Sequence, residues 1–180
     1  MFKKNRKSLL ARACAAATLA ASLTAPLITQ AQEVVPQLTK IDESEANIRL
    51  DGRLDEGIWQ RIPVVDGMKV VIPDTLADAS QETHTRIFYT ERGIYVRIMN
   101  FQEESTLVAR MPSRDTRLER DGVVIMIDPS GEGLYGYMMR VNLGGSMTDA
   151  TILPERQMNL QWDGSWDAET SAVDGGWVAE

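Results

Sequence analysis

Two tryptophans, Trp162 and Trp166, lie four residues apart, and an aspartate directly follows each of them (Asp163 and Asp167). In an extended strand, residues at this spacing point to the same face and lie about 13 Å apart. Flat rings beside hydrogen-bonding groups suit a ligand with an apolar face and hydroxyl groups, such as the pyranose ring of a sugar. Two rings on one face also fill hydrophobic cores, so the pattern permits either a platform or a core.

Other candidate ligand groups precede these rings. Arg140 and Asn142 share the polar face of an otherwise apolar segment, which is either a ligand surface or a solvated side. Arg114 and Asp115 belong to a charged stretch before another apolar segment. They are candidates for a ligand or calcium site, because oxygen-rich loops suit hard cations, or for a surface ion-pair network. No regularly spaced aspartate loop is present, so calcium ligands cannot be assigned.

The composition excludes several classes of site. Cys14 and His84 are the only cysteine and histidine, which excludes zinc sites built on cysteines and metal centres built on several histidines. Of 19 basic residues five precede residue 32, which leaves 14 against 26 acidic residues. So acidic a chain lacks the basic face that nucleic acid requires. A glycosidase needs two carboxylates about 5–10 Å apart across a cleft. Among 26 acids some pair meets this by chance, so we expect binding without catalysis.

The first 31 residues have the pattern of a signal peptide. A basic stretch, Lys3 to Lys7, precedes a long apolar run from Leu9 to Ile28, and small residues follow at Thr29–Ala31. The alternative is a membrane anchor, which Pro26 and the many weakly apolar alanines disfavour. We therefore predict export to the periplasm, the outer membrane or the extracellular space. A flexible tether is expected over 32–45 and a folded domain over 46–180.

The rest of the chain predicts short strands. Thr83–Tyr89 and Ile94–Met99 flank a tight turn and form a hairpin. Val123–Ile127 is apolar throughout and predicts a central strand, and Tyr137–Leu143 alternates as its partner. Two further strands are expected over Ser146–Ile152 and Trp166–Val173.

These strands predict an all-β protein: an antiparallel β-sandwich of the jelly-roll or immunoglobulin-like kind. One short helical turn is expected at Leu54–Arg61. Trp59 and Trp177 lie in amphipathic or apolar segments and are predicted core residues. The last segment, Gly176–Glu180, reads as a strand without a closing turn, so we expect the domain to be incomplete at its C-terminal end.

An ordered series of local patterns resembles the family 9 carbohydrate-binding modules. The matching segments are Ile48–Trp59, Gly93–Val96, Arg120–Pro129, Asn142–Gly145 with Asp149, Trp162–Trp166 and Gly175–Glu180. No single segment is specific, but their order along the chain is. The pairing of Trp162 with Trp166 and the Ser113–Asp115 segment look most like a subgroup of exported bacterial proteins in which the module precedes a predicted outer-membrane barrel.

The resemblance implies non-catalytic binding of an oligo- or polysaccharide, often as an accessory to glycoside hydrolases. A barrel or hydrolase domain downstream in the same chain is therefore expected. The alternative is a structural or interaction domain that docks on such a barrel. Some family members bind calcium, and related sandwiches hold haem through methionine or histidine, which makes His84 a third candidate.

Overall fold

The structure, a computed structural model, describes residues 38–53, 55–110 and 120–180. The predicted signal peptide at 1–31 lies outside these ranges, as do Arg114 and Asp115. No helix within the described ranges has the length and apolar character that a membrane crossing requires. The strands are β1 (Thr39–Lys40), β2 (Lys69–Val71), β3 (Asp74–Asp78), β4 (Thr83–Tyr89), β5 (Ile94–Phe101), β6 (Gly122–Ile127), β7 (Gly136–Asn142), β8 (Met147–Leu153), β9 (Gln157–Asn159), β10 (Thr170–Val173) and β11 (Gly176–Ala179).

Within the described ranges the helical elements are short. The α-helix α1 spans Glu43–Ala46, and 3₁₀ turns span Gly57–Arg61, Glu104–Thr106 and Pro154–Arg156. The helical turn predicted at Leu54–Arg61 is therefore present as the 3₁₀ turn Gly57–Arg61. Within the tether expected over 32–45, Thr39–Lys40 forms β1, which pairs with β4 in parallel, and α1 begins at Glu43.

A five-stranded sheet has the order β1-β4-β5-β11-β10. The predicted hairpin is its centre, since Tyr89 pairs with Ile94 and the antiparallel ladder continues to Thr83 and Asn100. Strand β11 pairs with β5 on one side and with β10 on the other, and all four of its residues are buried. Its first residue must be glycine, because a Cβ on Gly176 would lie 1.9 Å from the carbonyl oxygen of Asn100.

A four-stranded antiparallel sheet has the order β6-β7-β8-β9. Strand β6 was predicted to be central but lies at the edge of this sheet within the described residues. Its burial alternates, and Val124 and Met126 are exposed while Val123, Ile125 and Ile127 are half-buried. Apolar side chains also occur on the surface of many proteins. A run of apolar residues therefore does not show by itself that both faces of a strand are covered.

The two sheets pack face to face around one apolar core. Val141 of β7 and Leu143, just after β7, meet Trp177 and Ala179 of β11. Trp166 and other half-buried side chains pack against them. This arrangement confirms the predicted all-β sandwich. It also confirms Trp177 as a core residue.

A second core covers the outer face of the five-stranded sheet. Trp59 is completely buried and meets Phe88 edge-on with ring centroids 5.0 Å apart, and Phe88 in turn stacks on Tyr95 at 5.0 Å. Ile41, Ala46, Ile58 and Ile62 complete this core. The segment that precedes β2 is thus folded across the sheet by its own apolar side chains, and Trp59 is confirmed as core.

We predict that Trp59→Ala lowers the free energy of unfolding by about 3–5 kcal/mol, because it removes a fully buried ring and leaves a cavity beside Phe88. Urea unfolding followed by circular dichroism measures this change. Tyr135→Ala, which truncates an exposed ring, is the control and should change the value by about 0.5 kcal/mol or less. Equal effects of the two substitutions would contradict the role of Trp59 in the core.

Candidate functional site: the Tyr137–Trp162 surface

Trp162 and Trp166 do not lie on a strand. Both belong to the irregular segment between β9 and β10, since β10 begins only at Thr170. The prediction that the two rings share one strand face is therefore wrong. Each ring instead packs against the four-stranded sheet, and both are half-buried.

Trp162 packs against Tyr137 near the start of β7. The two ring centroids lie 4.8 Å apart and the ring planes are tilted by 37°. Tyr137 keeps 39% of its surface exposed, so the pair reaches solvent instead of closing into the core. Such a pair presents flat apolar area at the surface with a phenolic hydroxyl beside it.

The sheet register places polar groups next to this pair. Tyr137 pairs with Thr151, and Thr151 pairs with Asn159, so the three side chains form a row on one face of the sheet. Asn159 is exposed; its carboxamide oxygen accepts a hydrogen bond from the backbone N–H of Gln161 at 3.0 Å, and its NH₂ group is a donor. We call Tyr137, Thr151, Asn159 and Trp162 the Tyr137–Trp162 surface.

Asp149 holds the segment that carries both tryptophans. One of its carboxylate oxygens accepts a hydrogen bond from the backbone N–H of Gly164 at 2.8 Å and another from Nε1 of Trp166 at 3.1 Å. Because Gly164 lies between the two tryptophans, this carboxylate fixes the path of the chain at each ring. Asp149 is therefore a structural acid of the site.

Trp166 has a different position from Trp162. Its indole N–H is bound to Asp149, and its ring packs against the core between the sheets. It also lines two cavities that lie beside β5. The structure therefore places only Trp162 of the predicted pair on the Tyr137–Trp162 surface.

The structure separates Arg140 and Asn142 from this surface. Arg140 is half-buried on the opposite face of β7, where it pairs with Val124 and Thr148. Asn142 is 1% exposed, and its side-chain oxygen accepts a hydrogen bond from the N–H of Ser146 at 2.9 Å. Asn142 therefore shapes the turn between β7 and β8 and is too enclosed to reach a ligand.

Asp121 ends the charged stretch that contains the calcium candidates Arg114 and Asp115, and His84 is the haem candidate. Both have partners within the protein. Asp121 accepts hydrogen bonds from the N–H of Val108 at 2.7 Å and from the side chain of Gln102 at 3.2 Å. His84 contacts Glu82 through Nε2 at 2.7 Å, and its ring packs edge-on against Phe101. Within the described ranges no three acidic or histidine side chains converge on one point.

Tyr137 and Asp149 are the site residues that sequence reasoning missed. Tyr137 belongs to the alternating side of β7 that also carries Met139 and Val141, so it was assigned to the apolar face without a separate role. Asp149 is part of a segment that carries the family resemblance. The contact between Tyr137 and Trp162 depends on the path of the irregular segment after β9. The periodicity of the strands does not predict that path.

No family model, curated protein or solved structure matches this chain. The resemblance to family 9 modules therefore stays a prediction that rests on the residues that carry it.

A second feature of the molecule is an enclosed carboxylate on Glu180. Its Oε1 accepts a hydrogen bond from Nε1 of Trp59 at 3.2 Å, while its Oε2 is enclosed without a hydrogen-bond partner in the described residues. Burial, followed by the nearby charge of Glu56, raises the pKa of Glu180 to about 7. The carboxyl group therefore changes charge near neutral pH.

We predict that Gly164→Ala displaces the Trp162 ring, because a Cβ at this position would lie 2.5 Å from Cη2 of the ring. The ring is the mobile end of a side chain, so the domain should stay folded while the contact with Tyr137 is lost. Near-ultraviolet circular dichroism reports this change. Gly57→Ala, which has open space around the new methyl group, is the control. An unchanged aromatic signal in Gly164→Ala would contradict the ring placement.

We also predict that stability falls as the pH rises from about 5.5 to 8. A raised folded-state pKa means that the native state holds a proton that the unfolded state releases, so the stabilisation is lost as the pH passes about 7. After allowance for solvent screening we expect about 1 kcal/mol. Glu180→Gln, which keeps an oxygen for Trp59, should remove this part of the dependence in urea unfolding at both pH values. An identical pH dependence in the variant would contradict the prediction.

Proposed function

We propose that this β-sandwich binds carbohydrate without transforming it, and that the sugar stacks on the Tyr137–Trp162 surface. The observation that carries the proposal is the packing of a half-buried tryptophan on a tyrosine that remains 39% exposed. The row of hydroxyl and amide groups beside the pair supports it, since these groups hydrogen-bond in the way that sugar hydroxyls require.

In this proposal the aromatic pair contacts the C–H face of one sugar ring, and the polar row selects the orientation of its hydroxyls. The hydroxyls of Tyr137 and Thr151 donate and accept, and the amide of Asn159 does both through separate atoms. A site of this kind on an open surface buries only part of a ligand, so the affinity for a single ring is modest.

The same geometry favours binding over hydrolysis. Hydrolysis of a glycosidic bond requires a carboxylic acid and a carboxylate on either side of the bond. Asp149 accepts hydrogen bonds from the backbone N–H of Gly164 and from Nε1 of Trp166. A carboxylate that holds the chain in this way supports a binding role.

The pattern of the first 31 residues supports export to the periplasm, the outer membrane or the extracellular space as part of the proposal. The family resemblance adds that such a module serves a larger glycan-processing or outer-membrane protein. In that setting the module would hold a polysaccharide near a hydrolase or a barrel.

A second function, that of an interaction domain, is favoured by a different observation. The outer face of the four-stranded sheet exposes Val124, Met126 and Met158, with exposed fractions of 45%, 60% and 50%. Val124 and Met126 lie on the edge strand β6, and Met158 lies on the opposite edge strand β9. Exposed apolar side chains on one face suit contact with another protein. Sugar titration separates the two functions, because an interaction domain without a sugar site gives no response to any oligosaccharide.

We predict that Trp162→Ala weakens the binding of a soluble oligosaccharide about tenfold or more, because the main stacking surface is lost. Tyr137→Ala should have a similar effect, whereas Tyr137→Phe keeps the ring and should lose less. Isothermal titration calorimetry with xylo-, cello- and manno-oligosaccharides measures these affinities.

Tyr135→Ala is the matched control, because Tyr135 is an exposed tyrosine just before β7 and outside the surface. It should bind as tightly as the unchanged protein. The absence of heat with every oligosaccharide, or equal binding by Trp162→Ala and Tyr135→Ala, would exclude the proposed surface. Thermal unfolding of each variant establishes that the comparison is made between folded proteins.

A further inference from the structure

A cavity of 460 Å³ lies at one end of the four-stranded sheet. Its lining comes from residues 126–128 at the end of β6, residues 133–136 around the start of β7, and residues 152–155 at the end of β8 and just beyond it. The volume falls within the range of about 300–1,000 Å³ that is typical of small-molecule sites. We call this feature the Gly136 cavity.

Gly136 is the residue that leaves room for the cavity. It is buried at the start of β7 and pairs with Ile152 of β8, and residues directly opposite each other in an antiparallel pair point to the same face. A Cβ at this position would lie 3.8 Å from Cδ1 of Ile152 and only 2.8 Å from the backbone oxygen of Ile127. The absence of a side chain at Gly136 therefore leaves a depression beside Ile152.

The walls around this depression are apolar and reach solvent. Met126, Leu134, Tyr135 and Leu153 line the cavity, and each keeps between 37% and 60% of its surface exposed. An apolar ligand body seated among them would remove this area from water, which is favourable. The ring of Tyr135 adds a flat face on which another ring or a cation can pack.

Two acidic residues, Asp128 and Glu155, belong to the same lining. The carboxylate of Asp128 accepts hydrogen bonds from the hydroxyl of Ser130 at 2.7 Å and from the backbone N–H of Gly133 at 2.6 Å. These hydrogen bonds hold the pKa of Asp128 below its usual range, so the carboxylate is charged at neutral pH. Glu155 is exposed on the connection that follows β8. The cavity thus combines apolar walls with two carboxylates.

This combination suits an organic cation better than a metal ion. Calcium takes about six to eight oxygen ligands, which walls made of Met126, Leu134 and Leu153 do not supply. An ammonium group on an apolar body uses both parts of the lining, because its charge complements the carboxylates while its body covers the apolar walls. Stable protein interfaces take about 20–30 residues from each partner. Three short segments line this cavity, so its size favours a free small molecule.

We propose that the Gly136 cavity binds a small primary amine in its ammonium form, with a compact aromatic or aliphatic body. The body packs over Gly136 and Ile152 between the apolar walls. The ammonium group pairs with the carboxylate of Glu155, and the fixed charge of Asp128 adds to the attraction.

The Gly136 cavity is separate from the Tyr137–Trp162 surface. Gly136 and Ile152 directly neighbour Tyr137 and Thr151 in sequence, and successive side chains of a strand point to opposite faces of the sheet. The described lining of the cavity contains no residue of the Tyr137–Trp162 surface. The failure of either proposal therefore leaves the other intact.

The test uses the whole chain and three probes in isothermal titration calorimetry. Phenethylammonium carries both the charge and the apolar body and should bind saturably. Phenethyl alcohol keeps the shape without the charge, and methylammonium keeps the charge without the body, so each should bind about tenfold more weakly or less. In nuclear magnetic resonance spectra, phenethylammonium should shift the amide signals of residues 126–136 and 152–155.

Paired variants test the role of the charge. Glu155→Gln keeps the length of the side chain, and glutamine meets the same left-handed backbone as glutamate at this position, φ 61°. It should bind phenethylammonium about fivefold more weakly and leave the affinity for phenethyl alcohol unchanged. Glu132→Gln is the matched control, because it removes an exposed acid of the β6–β7 loop that is outside the described lining. It should bind as tightly as the unchanged protein.

A second pair tests the apolar walls. Leu134→Ala truncates an exposed side chain of the lining and should weaken the binding of both phenethyl probes. Leu160→Ala truncates an exposed leucine outside the described lining and should change neither affinity. All four substituted residues are exposed, so the thermal unfolding midpoints should remain close to that of the unchanged protein.

Several results would overturn the proposal. The absence of saturable binding, or equal binding of phenethylammonium and phenethyl alcohol, would exclude a site for an organic cation. Equal losses in Glu155→Gln and Glu132→Gln would show that the net charge of the protein, and not this cavity, attracts the amine. Amide shifts confined to other residues would place the bound amine elsewhere. Binding of a lysine-containing peptide without binding of the free amine would show that the ligand is a protein segment.

Discussion

The fold depends on the burial of strand β11. It lies between β5 and β10 within the five-stranded sheet, and its four residues, Gly176 to Ala179, are all buried. Because side chains alternate along a strand, Trp177 and Ala179 enter the core between the two sheets while Val178 is buried on the opposite side. This strand therefore belongs to the sheet that divides the inner core from the core around Trp59 and Phe88.

The candidate surface is a consequence of how the irregular segment after β9 returns to the five-stranded sheet. Asp149, projecting from β8, binds the backbone at Gly164 and the indole of Trp166. Gly164 lies close to the ring of Trp162, and that ring packs on Tyr137. The two tryptophans held by this carboxylate therefore have different surroundings. Trp166 packs toward the core, and Trp162 packs on the partly exposed Tyr137.

The local sequence was sufficient to predict the elements that local interactions determine. The β-branched and aromatic run before a tight turn predicted the β4–β5 hairpin, the alternation of Tyr137 to Leu143 predicted β7, and apolar surroundings predicted the burial of Trp59 and Trp177. The position of β6 at a sheet edge, the burial of Asn142 and the separation of Trp162 from Trp166 required the tertiary structure. Each of these depends on contacts between separate segments of the chain, such as that of Asp149 with Trp166. Periodicity predicts which side chains share a face, but not what that face contacts.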